Sequence, residues 1–173
     1  MAYFSTGEAR NKLMILLFIK EADCELTRNQ LFRVFAEQNW MDYFEFQAAI
    51  TALEEDTYVA AIPCAYGQGY RVTSSGESML EMFIEELPTS LRESMRKYAR
   101  DNKELLRAQT QFFARQTELP DGGYLAMLRL MDKNATILEL NLQLPTAQIA
   151  QAACDAWPDK AQAIYQELIN KLL

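Results

Sequence analysis

Histidine is absent from this chain, and its three cysteines, Cys24, Cys64 and Cys154, lie far apart with no CxxC pair. Zinc sites are built mainly from cysteine and histidine, so we expect no metal site and no cofactor. The chain also has no Ser-His or Cys-His pair for nucleophilic catalysis and no glycine-rich phosphate loop. We therefore expect a protein that is not an enzyme, with reduced thiols in a cytoplasmic setting.

Long apolar runs are also missing. The longest, Leu13 to Ile19, has seven residues between Lys12 and Lys20. A bilayer-crossing helix needs about 20 residues, and no small-residue cleavage site follows the run. We expect a core helix and no membrane partner.

Positive charge is scarce in the first half of the chain. Residues 1–88 contain 6 basic and 14 acidic residues, a net charge of −8, whereas residues 89–173 contain 11 basic and 10 acidic ones. Binding to DNA depends on lysine and arginine neutralising phosphates, so this balance argues against tight non-specific binding by the first half. An acidic surface of this kind also suits a basic protein partner.

The first half has clear helix signals. A first helix is expected from Glu8 to Glu21, with an apolar middle that other helices or a second subunit would cover. Thr27 with Gln30 forms one capping box, and Asp42 with Glu45 forms another. The sequence therefore predicts a second helix after Thr27 and a third over Tyr43 to Asp56.

A β-hairpin followed by a fourth helix completes this half. Val59 to Tyr66 and Tyr70 to Val72 read as strands joined at Gly67-Gln68-Gly69, where the two glycines would permit positive φ. Thr73-Ser74-Ser75-Gly76 then begins the next helix, with Leu80 and Phe83 on its buried side. Residues 1–88 are thus predicted to form a winged helix-turn-helix domain, in which the hairpin is the wing.

In such a domain the third helix presents polar side chains to DNA, with help from neighbouring cations. Here the helix has no lysine or arginine but carries Glu45, Glu54, Glu55 and Asp56. The polar positions are equally consistent with a solvated face, and the wing arginine with an ordinary ion pair. The candidate DNA contacts are Arg28, Arg33, Tyr43, Gln47, Thr51, Gln68 and Arg71.

The second half, residues 89–173, is predicted to be a linker helix followed by an α+β domain for dimerisation or ligand sensing. The helix runs from Thr89 to about Leu106 and is rich in basic residues interleaved with acids, which favours a solvated face over a nucleic-acid contact. Three strands follow and predict an antiparallel meander, because turn-forming residues separate them. They are expected at Gln109 to Thr117, Tyr124 to Met131 and Thr136 to Leu144.

Two helices should cover this meander. Pro145-Thr146 opens one that reaches about Ala156, Trp157-Pro158 should break it, and a closing amphipathic helix follows. The middle strand is apolar on both faces, so a face left uncovered would be available to a ligand or to a second copy of the chain. The fold class is therefore α+β: an N-terminal winged helix-turn-helix followed by a C-terminal region with a three-stranded antiparallel meander covered by helices.

Six short segments distributed along the chain form a combined pattern: Asn11-Lys12-Leu13, Leu26-Thr27, Asn39-Trp40-Met41-Asp42-Tyr43-Phe44, Thr73-Ser74-Ser75-Gly76, Gly123-Tyr124 and Leu140-Asn141-Leu142. Together they resemble one family, the bacterial domain of unknown function 4364. The resemblance implies an N-terminal winged helix, a C-terminal α+β region and a role in transcription. Two functions are then open: a dimeric DNA-binding regulator, or a protein-interaction module that does not bind nucleic acid.

Overall fold

A computed structural model describes residues 7–173 and shows a mixed α+β protein. Within this range there are seven α-helices, one 3-10 helix (Ile84–Glu86) and two three-stranded antiparallel sheets. The helices are α1 (Gly7–Ala22), α2 (Arg28–Glu37), α3 (Tyr43–Glu55), α4 (Ser74–Phe83), α5 (Thr89–Asp101), α6 (Lys103–Gln111) and α7 (Ala147–Leu172). The strands are β1 (Leu26–Thr27), β2 (Val59–Cys64), β3 (Gly67–Val72), β4 (Phe112–Glu118), β5 (Tyr124–Asp132) and β6 (Ala135–Leu144).

The chain divides into two compact units. The first unit extends to Pro63 and resumes from Gly67 to Arg107, and the second unit contains Cys64–Tyr66 and Ala108–Leu173. Helix α5 supplies the buried side chains of Met95 and Ala99 to the core of the first unit, whereas the sequence analysis assigned this helix to the second half. The division therefore follows Arg107, beyond the expected boundary at residue 88.

Helix α1 forms the centre of the first unit. Every side chain from Leu13 to Ile19 is buried, and the helix packs against α3, α4, α5 and strand β3. The apolar run thus forms a core helix, and elements of its own unit are sufficient to cover it.

Both predicted capping boxes are present. The Thr27 hydroxyl accepts the Gln30 amide at 3.2 Å, and the Gln30 side-chain oxygen accepts the Thr27 amide at 2.9 Å. Asp42 and Glu45 repeat the arrangement at the start of α3, with distances of 2.9 and 3.2 Å. Each cap satisfies otherwise unpaired helix amides and contributes about 1 kcal/mol to stability.

The first sheet has the strand order β1-β3-β2, and its hairpin turns earlier than the sequence indicated. The turn lies at Ala65 and Tyr66, while Gln68 belongs to strand β3. Of the two glycines in this hairpin, Gly67 has a positive φ, of 115°, and Gly69 does not. Gly69 is needed for a different reason, because a Cβ there would lie 2.3 Å from the Glu25 carbonyl oxygen, beside the β1 strand that pairs with β3.

Helix α4 begins as the sequence predicted. Thr73 is its N-cap and accepts the Gly76 amide at 3.2 Å, while the Thr73 hydroxyl donates to the Thr57 carbonyl at 2.7 Å. A Cβ at Gly76 would lie only 2.1 Å from the Tyr58 carbonyl oxygen. Glycine is therefore required where this helix starts against the backbone that joins α3 to β2.

The predicted basic helix from Thr89 to Leu106 is in fact two helices, α5 and α6. Both the backbone amide and the side-chain amide of Asn102 donate to the Tyr98 carbonyl, at 3.0 and 2.9 Å, which ends α5. Helix α6 then continues to Gln111, so strand β4 starts at Phe112, three residues later than expected.

The second unit contains the predicted antiparallel meander, with strand order β4-β5-β6. The β5–β6 hairpin turns through Lys133 and Asn134, both with positive φ, as tight two-residue turns require. Helix α7 covers one face, mainly over β4 and β5, and buries Leu128 and Leu130.

The expected break at Trp157-Pro158 is wrong, because α7 continues through Pro158 as one helix. A proline inside a helix removes one hydrogen bond and costs about 3 kcal/mol. Here Trp157 is buried in the core of the second unit, and its indole nitrogen donates to the Arg129 carbonyl of β5 at 2.9 Å. Cys154 and Ala161, on either side of Pro158, are buried in the same core, so packing on the sheet supports the helix through the proline.

The opposite face of this sheet is only half buried. Leu125 and Met127 of β5 are partly exposed there. The Arg129 guanidinium pairs with Glu139 at 3.1 Å and lies 5.2 Å from the centre of the Phe113 ring. The middle strand is thus covered fully on one face, and its second face mixes apolar with charged groups.

Candidate nucleic-acid interface

The first residue of α2 reaches the polar side of α3. The Arg28 guanidinium donates to the Gln47 side-chain oxygen at 3.0 Å and approaches the Thr51 hydroxyl at 3.5 Å. Arginine thus stands against two polar positions of a helix that has no cation of its own.

Two further side chains complete this arrangement, which we call the Arg28 cluster: Arg28, Gln47, Thr51, Glu54 and Tyr70. Arg28 forms an ion pair with Glu54, and its Nε donates to the Tyr70 hydroxyl at 3.3 Å. The Tyr70 hydroxyl in turn donates to Glu54 at 2.8 Å. The carboxylate therefore receives two donors and holds the guanidinium in place.

The ionisation of the cluster follows from these contacts. Burial raises the pKa of the Tyr70 hydroxyl, an effect that the Arg28 hydrogen bond opposes and Glu54 reinforces. Burial lowers the pKa of Arg28, but its Tyr70 and Glu54 partners outweigh this and leave it raised. At neutral pH the cluster thus contains a charged arginine and a protonated tyrosine.

The other predicted contacts lie apart from this cluster. Arg33 is exposed on the outer side of α2, and Gln68 is exposed on β3. Arg71 forms an ion pair with Glu25. The Tyr43 ring packs edge-on against Phe32, with 5.3 Å between ring centres.

Two members of the cluster and one exposed aromatic residue were not among the predicted contacts. Glu54 and Tyr70 join Arg28 across 26 and 42 residues of chain, a separation for which local patterns give no signal. Phe44 is 80% exposed. Its position could have been found from helical spacing, because the buried residues Phe46, Ile50 and Leu53 define the opposite side of α3.

The basic residues of α5 and α6 are mostly paired within the first unit. Arg92 and Arg96 bond to Glu85 and Glu21 at 2.8 and 3.0 Å. The hydrogen bond and charge of Arg92 lower the pKa of Glu85. Most of the positive charge on these helices is thus neutralised locally.

Two features bound the chemistry of the described residues. Across residues 7–173, no three cysteine or carboxylate side chains are grouped so that they could hold a metal ion. No helix in the same range combines the length and the apolar character that crossing a bilayer requires.

Comparison with known proteins identifies the family. The described residues form a mixed α+β protein with a polar cluster against α3. The chain belongs to the family described as "Domain of unknown function (DUF4364)", which matches residues 11–172. This confirms the family resemblance found in the sequence. No curated protein matches the chain, and no solved structure does.

Proposed function

We propose that the first unit is a winged helix-turn-helix and that the protein is a cytoplasmic, dimeric DNA-binding regulator of transcription. The order α1-β1-α2-α3-β2-β3-α4 and the strand order β1-β3-β2 support this interpretation. In this arrangement α3 is the recognition helix and the β2–β3 hairpin is the wing.

The observation that carries the proposal is the position of Arg28. The recognition helix lacks a cation, but Arg28 of α2 places a guanidinium beside Gln47 and Thr51. A phosphate that approaches these residues therefore meets a guanidinium, which it would share with Glu54. Arg33, exposed on α2, adds a second cation at a helix that crosses the DNA backbone in such folds.

The second unit suits a role in dimerisation. Strand β6 is one of the two edge strands of its sheet, and α7 covers it less than it covers β4 and β5. Leu142 on this strand remains 39% exposed. An unpaired edge with apolar side chains can pair with a second copy across a two-fold axis.

An electrophoretic shift assay at about 50 mM salt tests the proposal, with fragments from upstream of the protein's own gene. We expect binding that weakens steeply as salt is added, and weaker binding by Arg28→Gln. The exposed Lys133→Gln, on the β5–β6 turn of the second unit, is the matched charge control. Failure to bind any fragment at low salt would count against a DNA-binding function.

A protein-interaction module is the second candidate, and one observation favours it. Arg28 and Arg71 are both paired with glutamates of the same unit, so little free positive charge faces a phosphate backbone. A basic protein partner would then be recruited by the acidic surface. A partner that is retained in a pull-down after nuclease treatment, and is lost in Glu55→Lys, would support this function over DNA binding.

A further inference from the structure

The outer side of α3 carries a stripe of apolar groups. Phe44, Ala48 and Thr51 are all exposed, and they follow the i, i+4, i+7 spacing of one helical face. The Phe44 ring touches only its neighbour Tyr43 among the ring contacts of the described residues, with 5.5 Å between ring centres. We call Phe44, Ala48 and Thr51 the outer stripe.

The stripe begins near the N-terminus of the helix. Phe44 is the second residue of α3 and Ala48 the sixth. In helix-turn-helix proteins the N-terminal residues of the recognition helix contact base edges. The rise of about 1.5 Å per residue spreads the stripe over about 10 Å, the length of about three base pairs.

The chemistry of the stripe matches one base. Thymine is the only base with a methyl group in the major groove, where it contacts alanine, the threonine methyl group or phenylalanine. Guanine is read chiefly by arginine or lysine, and α3 has neither. The outer stripe is therefore suited to methyl groups and poorly suited to guanine.

Gln47 adds the second feature that thymine recognition needs. Arginine has no acceptor, so the Gln47 amide oxygen must face Arg28, at 3.0 Å. The amide NH2 is then directed away from the guanidinium as a donor. The major-groove edge of thymine presents one acceptor, O4, next to its methyl group.

Three of the four acidic side chains in and just after α3 have partners. Glu54 and Asp56 are paired with the cations Arg28 and Lys12, the latter at 3.6 Å. Glu45 accepts the Asp42 amide and keeps its negative charge, held back towards the start of the helix. Within residues 7–173, Glu55 alone among these acids has no ion pair or hydrogen bond. It lies in the last turn, away from the N-terminal residues that face the bases.

We infer that α3 reads thymine-rich DNA in the major groove: Phe44, Ala48 and Thr51 contact thymine methyl groups, and Gln47 donates to thymine O4. This inference rests on the proposed DNA-binding function. In this inference the outer stripe determines which sequence is preferred, and the cations of α2 contact the phosphates.

Replacing thymidine by deoxyuridine tests the inference, because uracil differs from thymine only by the missing methyl group. A duplex is first selected by the full-length protein from a random-sequence pool at low salt. It is then prepared with deoxyuridine at each thymine in turn, and binding is compared. We expect a loss of about fourfold for each contacted methyl, the effect of exposing one apolar carbon.

Phe44→Ala identifies the side chain responsible. The exposed ring can be removed without disturbing the core, and circular dichroism verifies that the variant is folded. At the one position whose methyl group Phe44 contacts, we expect this variant to bind the thymine and deoxyuridine duplexes with equal affinity. Met82→Ala, which removes a side chain that is 73% exposed on α4, is the matched control and should keep the wild-type preference.

The outcomes separate this inference from the proposed function. If no duplex is selected, the DNA-binding function fails and the thymine preference fails with it. A selected duplex that binds equally well with thymine or deoxyuridine at every position leaves DNA binding in place and overturns the inferred thymine recognition. The same conclusion follows if Phe44→Ala keeps the wild-type preference for thymine at every position. Selection of guanine-rich duplexes would also overturn it.

Discussion

Replacing Gly76 by alanine changes the free energy of unfolding in two opposite ways. Alanine favours a helix over glycine by about 1 kcal/mol, so the change would stabilise α4 if space allowed. The added Cβ, however, would lie 2.1 Å from the Tyr58 carbonyl oxygen and 2.8 Å from a methyl group of Val72. Ordinary contact begins at 3.4 Å, so the backbone must move by about 1 Å.

The magnitude follows from what that movement disturbs. The Tyr58 carbonyl accepts the Thr73 amide at 3.0 Å, and Thr73 caps the helix that carries Gly76. Overpacking costs about 1 to 3 kcal/mol, and one weakened hydrogen bond costs about 1 kcal/mol more. After the helix gain is subtracted, Gly76→Ala should destabilise the protein by about 2 kcal/mol.

Urea unfolding followed by circular dichroism measures this difference. Gly7→Ala is the matched control, because it makes the same change at the start of α1, where a Cβ would meet no atom of residues 7–173 within 4 Å. The control should be neutral or slightly stabilising. Equal or greater stability of Gly76→Ala would refute the argument that close approach of the Tyr58 carbonyl requires glycine.

Three further predictions follow from particular contacts. Glu54→Gln should release the arginine of the Arg28 cluster and raise DNA affinity about threefold in the shift assay, whereas unchanged affinity would show that this carboxylate does not compete with DNA. Trp157→Phe should lower the free energy of unfolding by about 1 to 3 kcal/mol in urea, because the Arg129 carbonyl loses its donor; a change below about 0.5 kcal/mol would contradict this role. Burial and an adjacent carboxylate raise the pKa of Cys154, so at a given pH a smaller fraction of it is the reactive thiolate than for an ordinary cysteine. Iodoacetamide at pH 8 should therefore label Cys154 more slowly than the half-buried Cys24, and equal rates would contradict the burial.

Local signals in the sequence predicted local structure well. The capping boxes at Thr27 and Asp42 fixed the starts of α2 and α3, because a cap depends on residues only three positions apart. The meander was also predictable, since its turns and alternating strands are short-range features.

Features that depend on distant contacts were not predictable. Pro158 looks like a helix breaker until Trp157 is seen to be buried against the sheet. The Arg28 cluster likewise joins α2, α3 and β3, so its ion pair could not be read from any one segment. The sequence predicted three of its members as site residues but gave no reason to add Glu54.

Helix α7 is attached to its sheet at a point where its own hydrogen bonding is weakest. Pro158 has no amide to offer the Cys154 carbonyl, while the neighbouring Trp157 is bonded to β5. Fraying from the exposed C-terminus can therefore spread inward through the last turns, but it must stop where the helix meets the packed residues Ala161 and Trp157. Amide hydrogens near Leu172 should exchange with deuterium long before those near Cys154, because the C-terminal turns unfold locally more easily than the N-terminal part of the helix.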